Sequence, residues 1–197
     1  MIYALTDELA VVWIELIQRW FATNPEAQEY RWTADDSSSR LMIADQVPDT
    51  ARRWPCIIVR AIPGDSIEAS LSQSAGPEYS ISEPQVEIGE RFVGWFQPRM
   101  EFVVEAQSDK DSKRVMDILF AGLVRTLRIE VEKETSGRVK IDPPAIRVSG
   151  GGARLVADKL QVFSRTVSLQ CRVEWQEVVL YENTLTDVAP TVTVQDY

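Results

Sequence analysis

The sequence predicts an α+β fold: a single mostly antiparallel sheet with two amphipathic helices packed on it, long loops and an extended C-terminal tail. Three observations predict it. Residues 100–106 alternate as a strand and run straight into an amphipathic helix that opens at Ser108 and reaches about Arg128. Residues 163–181 keep a period-two apolar pattern over nineteen positions. Residues 6–21 carry a wide apolar stripe at helical spacing. Strands outnumber helices and the connections are long, which favours antiparallel pairing with helices on one side.

In the first helix, Thr6 is placed to cap, and Asp7 and Glu8 suit the positive end of the helix dipole. Leu9, Val12, Trp13, Leu16, Ile17 and Trp20 form the stripe, and Asn24-Pro25 stops it. Trp13 and Trp20 are expected to pack on the sheet or against a neighbouring subunit. Residues 33–52 are polar and irregular, with a loop at 35–39. Residues 54–62 are apolar on both faces apart from Arg60, as in a central, doubly covered strand that starts at Pro55.

Residues 64–90 read as a hairpin or loop excursion and 91–96 as a short strand before the Gln97-Pro98 turn. Met100, Phe102, Val104 and Ala106 share one strand face, with Glu101 and Glu105 on the other. Ser108 caps the second helix, with Asp109 and Asp111 in its first turn. Val115, Ile118, Leu119, Gly122, Leu123 and Leu127 form its stripe. Gly122 marks the close approach of another backbone, and Lys110, Lys113 and Arg114 read as a solvated face.

Residues 131–153 are expected to be a long irregular segment, with Gly150 and Gly151 as candidates for a subunit interface. The 163–181 strand would span roughly 60 Å against a radius of gyration of about 16 Å for a globule of this length. It must bend, break or leave the body. Domain boundaries follow: a body over 1–182 and a tail over 183–197. In the tail, Val188, Val192 and Val194 are placed to add a strand to a neighbour.

The composition narrows the chemistry. The chain has 197 residues, a net charge of −9, no histidine and two cysteines. The charge argues against a general nucleic-acid binder, though not against a wall past which DNA slides, since an acidic wall repels phosphates and does not trap them. Cys56 and Cys171 lie in apolar runs and read as buried thiols. No run approaches the ~18 apolar residues of a membrane span, and the N-terminus lacks the pattern of a signal peptide. Without histidine there is no Ser-His or Cys-His pair, and two distant cysteines make no zinc centre. Ser149-Gly150-Gly151-Gly152 lacks the lysine of a phosphate loop, and Asp35-Asp36 reads as a solvated acidic turn. No catalytic residue, cofactor site or metal site is expected, and the protein is read as a non-enzyme.

The order of elements resembles the tail terminator and neck proteins of long-tailed bacteriophages. The resemblance rests on the N-terminal amphipathic helix, Trp54-Pro55-Cys56-Ile57-Ile58-Val59 as an early strand, Phe102-Val103-Val104-Glu105-Ala106 leading into the Ser108 helix, and the late strand ending Arg172-Val173-Glu174-Trp175. It is a likeness of pattern over residues 1–181. It implies a homo-oligomeric ring, commonly a hexamer, at the head-proximal end of a tail. Its partners would be the tail tube or sheath and the head-completion proteins, with DNA only passing through the channel and no membrane. The expected location is the virion, after assembly in host cytoplasm. Two other classes fit the residues: a small cytosolic enzyme or ligand-binding α+β domain, and an adaptor that binds by strand addition.

Overall fold

The computed structural model describes residues 2–45, 53–63, 73–79, 87–141, 146–156, 160–182 and 191–195. The fold is α+β and falls into two units, residues 1–64 with 98–171 and residues 65–97 with 172–197. The division therefore runs through the chain three times and does not follow the 182/183 boundary expected from sequence.

Among the described residues, the helices all lie in the first unit. α1 spans Ile2–Thr23 and begins earlier than the expected cap, so Thr6 lies within it. Asn24 ends it and caps the following 3₁₀ turn, Pro25–Tyr30, its side-chain oxygen accepting from the Glu26 N–H at 3.0 Å. The acidic turn that follows satisfies itself. Asp35 Oδ1 accepts from the Ser37 N–H and hydroxyl, and those bonds hold its carboxyl below the usual range.

β1 (Met42–Ala44) pairs parallel with β2 (Cys56–Ile62), which pairs antiparallel with β5 (Arg99–Ala106). The first four residues of β2 are buried and Arg60 is exposed, so the double cover expected for 54–62 holds over only half the strand. β3 (Gln73–Tyr79) and β4 (Glu87–Phe96) belong to the second unit.

The second helical rod continues past Arg128. α2 (Asp109–Gly122) passes through a π turn, Leu123–Leu127, into α3 (Arg128–Glu134). Leu119, Leu123, Leu127 and Val131 are all fully buried. Residues four apart drift about 40° per step around a regular α-helix. The π turn winds less per residue and keeps this row on the core. Ser136 and Gly137, both at positive φ, then close the rod. The Ser136 N–H bonds Lys133 O and the Gly137 N–H bonds Glu132 O at 2.6 Å. The sequence reading of 131–153 as irregular is corrected: α3, β6 (Val139–Ile141) and β7 (Arg147–Val156) occupy most of it.

The helices pack on the face of β5 that bears Met100, Phe102 and Val104, all fully buried. The Trp13 ring meets Phe102 edge-on, with centroids 5.3 Å apart. β8 (Leu160–Glu182) pairs with β5 and β7 in this unit and with β4 and β9 (Thr191–Gln195) in the second. One register runs throughout: Arg99 lies opposite Gln170 and Phe96 opposite Val173, so Gln97-Pro98 adds no slip. The long strand expected at 163–181 is therefore real and is shared by two units. Among the described residues, the second unit is all β: β3 pairs β4, β4 pairs β8, and β8 pairs β9.

Cys56 lies opposite Glu105 at one end of β5, and the Cys171 N–H bonds Pro98 O at the other. Seven positions of strand, about 23 Å, separate them, which rules out a bridge. Burial pushes the Cys171 thiol up, the Trp13 indole N–H beside it acting weakly the other way. No hydrogen bond of good geometry reaches Trp13 Nε1.

Candidate functional site

The sequence candidates for a subunit interface scatter in the fold. Of the two packings expected for Trp13, on the sheet or against a neighbour, the structure shows the first: it is 0% exposed and packs on Phe102. Trp20 is half-buried and lies over Gly122, where a Cβ would stand 2.8 Å from its Nε1. The close approach at Gly122 is thus made by an indole and not by another backbone.

Gly150 and Gly151 sit in β7 at a bulge, between the Ser149–Thr166 and Gly152–Ser164 pairings. β7 pairs only with β8 among the described residues, and a glycine bulge interrupts its free edge. Val192 and Val194 lie in β9, opposite Tyr181 and Val179 of the same chain. In this fold their backbone ladder runs to β8 of the same chain. Val188 lies outside the described residues.

The structure instead draws attention to an open cleft of about 560 Å³ between the 3₁₀ turn and the start of α2. Glu29, Tyr30, Arg40, Lys110, Asp111, Lys113, Arg114 and Asp117 line it. Two local signals build its floor. Ser108 caps α2, its hydroxyl oxygen accepting from the Asp111 N–H at 3.1 Å and its hydroxyl donating to Asp111 Oδ2 at 2.6 Å. The Tyr30 hydroxyl donates to Asp111 Oδ1 at 2.7 Å and so ties the 3₁₀ turn to the helix start.

The bonds from Ser108 and Tyr30 hold the Asp111 carboxyl below its usual range. Burial, helped by Asp111, pushes the Tyr30 phenol up to about 12. Near neutral pH, Asp111 is ionised and accepts one hydroxyl on each oxygen, while Tyr30 keeps its proton. Neither is poised for proton transfer. Asp109, the other first-turn carboxylate, bonds Arg165 Nη2 at 2.6 Å.

Comparison with known protein families and with curated proteins found no match. The residues themselves must therefore carry the reading. The cleft thus mixes four cations, Arg40, Lys110, Lys113 and Arg114, with the carboxylates Glu29, Asp111 and Asp117, of which Asp117 stands at i+4 from Lys113 and i+3 from Arg114 on the same helix. Sequence reasoning placed Lys110, Lys113 and Arg114 on a solvated face. It could not bring Tyr30 and Arg40 to them, because those positions lie some seventy to eighty residues away. Among the described residues there is no group of three or more His, Cys, Asp or Glu side chains arranged for a metal, and no helix long and apolar enough to cross a membrane.

Proposed function

We propose that this chain is a structural subunit and not an enzyme: a ring-forming protein at the head-proximal end of a bacteriophage tail, located in the virion. The observation that carries the reading is the division of one long strand between a helix-covered body and a second unit that is all β among the described residues. A sheet gains stability from a layer packed on it. A β unit with no helix among its described residues is suited to receiving that layer from a partner. The element order that resembles tail terminators supports the same assignment, with a hexamer as the expected ring. The net charge of −9 suits a channel through which DNA passes unbound. The tail tube or sheath and a head-completion protein are the proposed neighbours.

Native mass spectrometry and negative-stain imaging of the purified chain test this. A closed ring, or ring formation on adding tail tubes, supports the proposal; a persistent monomer that ignores tubes defeats it. The cleft favours one other reading, a small ligand-binding domain. That reading requires a monomer with saturable binding of a small anion at the cleft.

A further inference from the structure

We infer that the apolar face of the second unit's sheet receives the outer side of the helical rod of a second copy of this chain. Val124 and Ile129 of the rod supply the apolar contact, and Arg125 and Arg128 meet Glu90 and Glu177 of the sheet. The inference rests on the ring-forming reading and deepens it by naming both sides of the subunit contact.

The register of the second unit sorts its residues between two faces. Directly paired residues of an antiparallel ladder share a face, and faces alternate along each strand. Gly94 pairs with Trp175, Phe92 with Glu177, Glu90 with Val179, Val179 with Val194 and Tyr181 with Val192. One face therefore carries Phe92, Trp175, Val179, Tyr181, Val192 and Val194, with Glu90 and Glu177 as its charges and no cation along these pairings. The opposite face takes Arg91, Gln176, Thr191, Thr193 and Gln195. Such one-sidedness marks an antiparallel sheet that packs one face on a layer. Among its described residues the unit has no helix to form that layer. Phe96 on this face is buried, whereas Phe92, four residues along, is only partly so.

The rod offers a matching layer. Val124 and Ile129 are 40% and 43% exposed. Hydrogen bonds of a π turn run over five residues, so the two stand one turn apart. Arg125 is exposed and Arg128 partly so. Neither makes an ion pair among the described residues, although Glu132 stands at i+4 from Arg128. Glu134 and Glu130 act instead on Arg19 of α1. The rod's outer side thus sets two apolar residues among unpaired arginines, and the sheet face sets two carboxylates among apolar residues. The other exposed helix side, along α1, has Val11 at 52% exposure but also exposed Asp7, Glu8 and Glu15. It would bring like charges to Glu90 and Glu177, so charge selects the rod. The contact joins two different surfaces, the heterologous type that closes a ring.

Charge reversal tests both sides. Arg125→Glu with Arg128→Glu, and separately Glu90→Arg with Glu177→Arg, should each weaken ring formation about tenfold or more at about 0.1 M salt. The quadruple variant restores opposite charges at every interface and should recover most of that loss. The arginine changes lie on the outer side of a helix, so the melting temperature should move by no more than ~2 °C. Chains carrying Ile129→Cys, mixed with chains carrying Val179→Cys and oxidised, should give a mixed disulfide that neither chain forms by itself. If the wild type forms rings and every charge variant assembles equally well, the docking site is wrong and the ring reading survives. A wild type that stays monomeric even with tail tubes overturns both. If only the glutamate variant fails and no mixed disulfide forms, another partner covers the sheet face, and the second copy is overturned as occupant. A loss in both double variants that the quadruple variant does not recover, again with no mixed disulfide, overturns the pairing of rod and sheet.

Discussion

Gly122 shows how much one missing atom decides. An alanine there gains about 1 kcal/mol of helix propensity, but its Cβ would stand 2.8 and 2.9 Å from the Trp20 ring, with Leu127 Cδ1 at 3.1 Å. Overpacking of this kind costs about 1–3 kcal/mol. Gly122→Ala should therefore lower stability by about 1 kcal/mol in urea denaturation. In a Trp20→Leu background the same change should become neutral or stabilising. Additive effects would show that the ring is not the obstacle.

Tyr30 makes a pH-dependent prediction. The folded state holds the phenolic proton more tightly than the unfolded chain does, first through burial and then through the bond to Asp111. Its contribution is complete below about pH 10, the ordinary tyrosine value, and is lost as pH rises through about 12. Tyr30→Phe should cost about 1–2 kcal/mol at pH 7 by leaving Asp111 with one donor fewer. The gap between wild type and variant should narrow from pH 10 to 12. A gap independent of pH would mean that the hydroxyl contributes only through packing.

At the scale of elements, the apolar stripes were legible. Val115, Ile118, Leu119, Gly122, Leu123 and Leu127, read from spacing, are all buried in the rod formed by α2 and the π turn. Leu119→Ala should cost about 2–5 kcal/mol, measured by thermal or urea unfolding. A loss under about 0.5 kcal/mol would put that face outside the core.

Other elements hid for physical reasons. β7 carries three glycines and a bulge, so it shows neither alternation nor β-branched enrichment across its middle. β1 has three residues, too few for any period to show. The rod continues past Arg128 because of the π turn and the row of buried residues four apart. A strict 3.6-residue template does not follow that row. The cleft was half legible: the Ser108 cap and its cations are local, while Tyr30 and Arg40 arrive only through tertiary structure.

The whole molecule divides its stability unevenly. Among the described residues, the helices and the largest fully buried side chains, from Trp13 to Leu127, belong to the first unit. The second pairs β3, β4, β8 and β9 with no helix among its described residues. Native-state hydrogen exchange should accordingly split β8. Amides over 163–170 should exchange only with global unfolding, and those over 173–182 through cheaper local opening. Deleting residues 183–197 removes β9, the partner of Val178 to Glu182, and should speed exchange there first. Uniform protection along β8 would mean that the two units open together.

The unbroken register of β8 against β4 and β5 also constrains how this chain can diverge. A one-residue insertion or deletion inside 89–106, or inside 163–180, turns every side chain beyond it to the opposite face. Length changes in a lineage should therefore gather in the connections outside these two stretches. Within them, an inserted residue should survive only with a matching one across the ladder or as a fixed bulge. Aligned descendants of this chain would display that as paired gaps, a signature legible without any further structure.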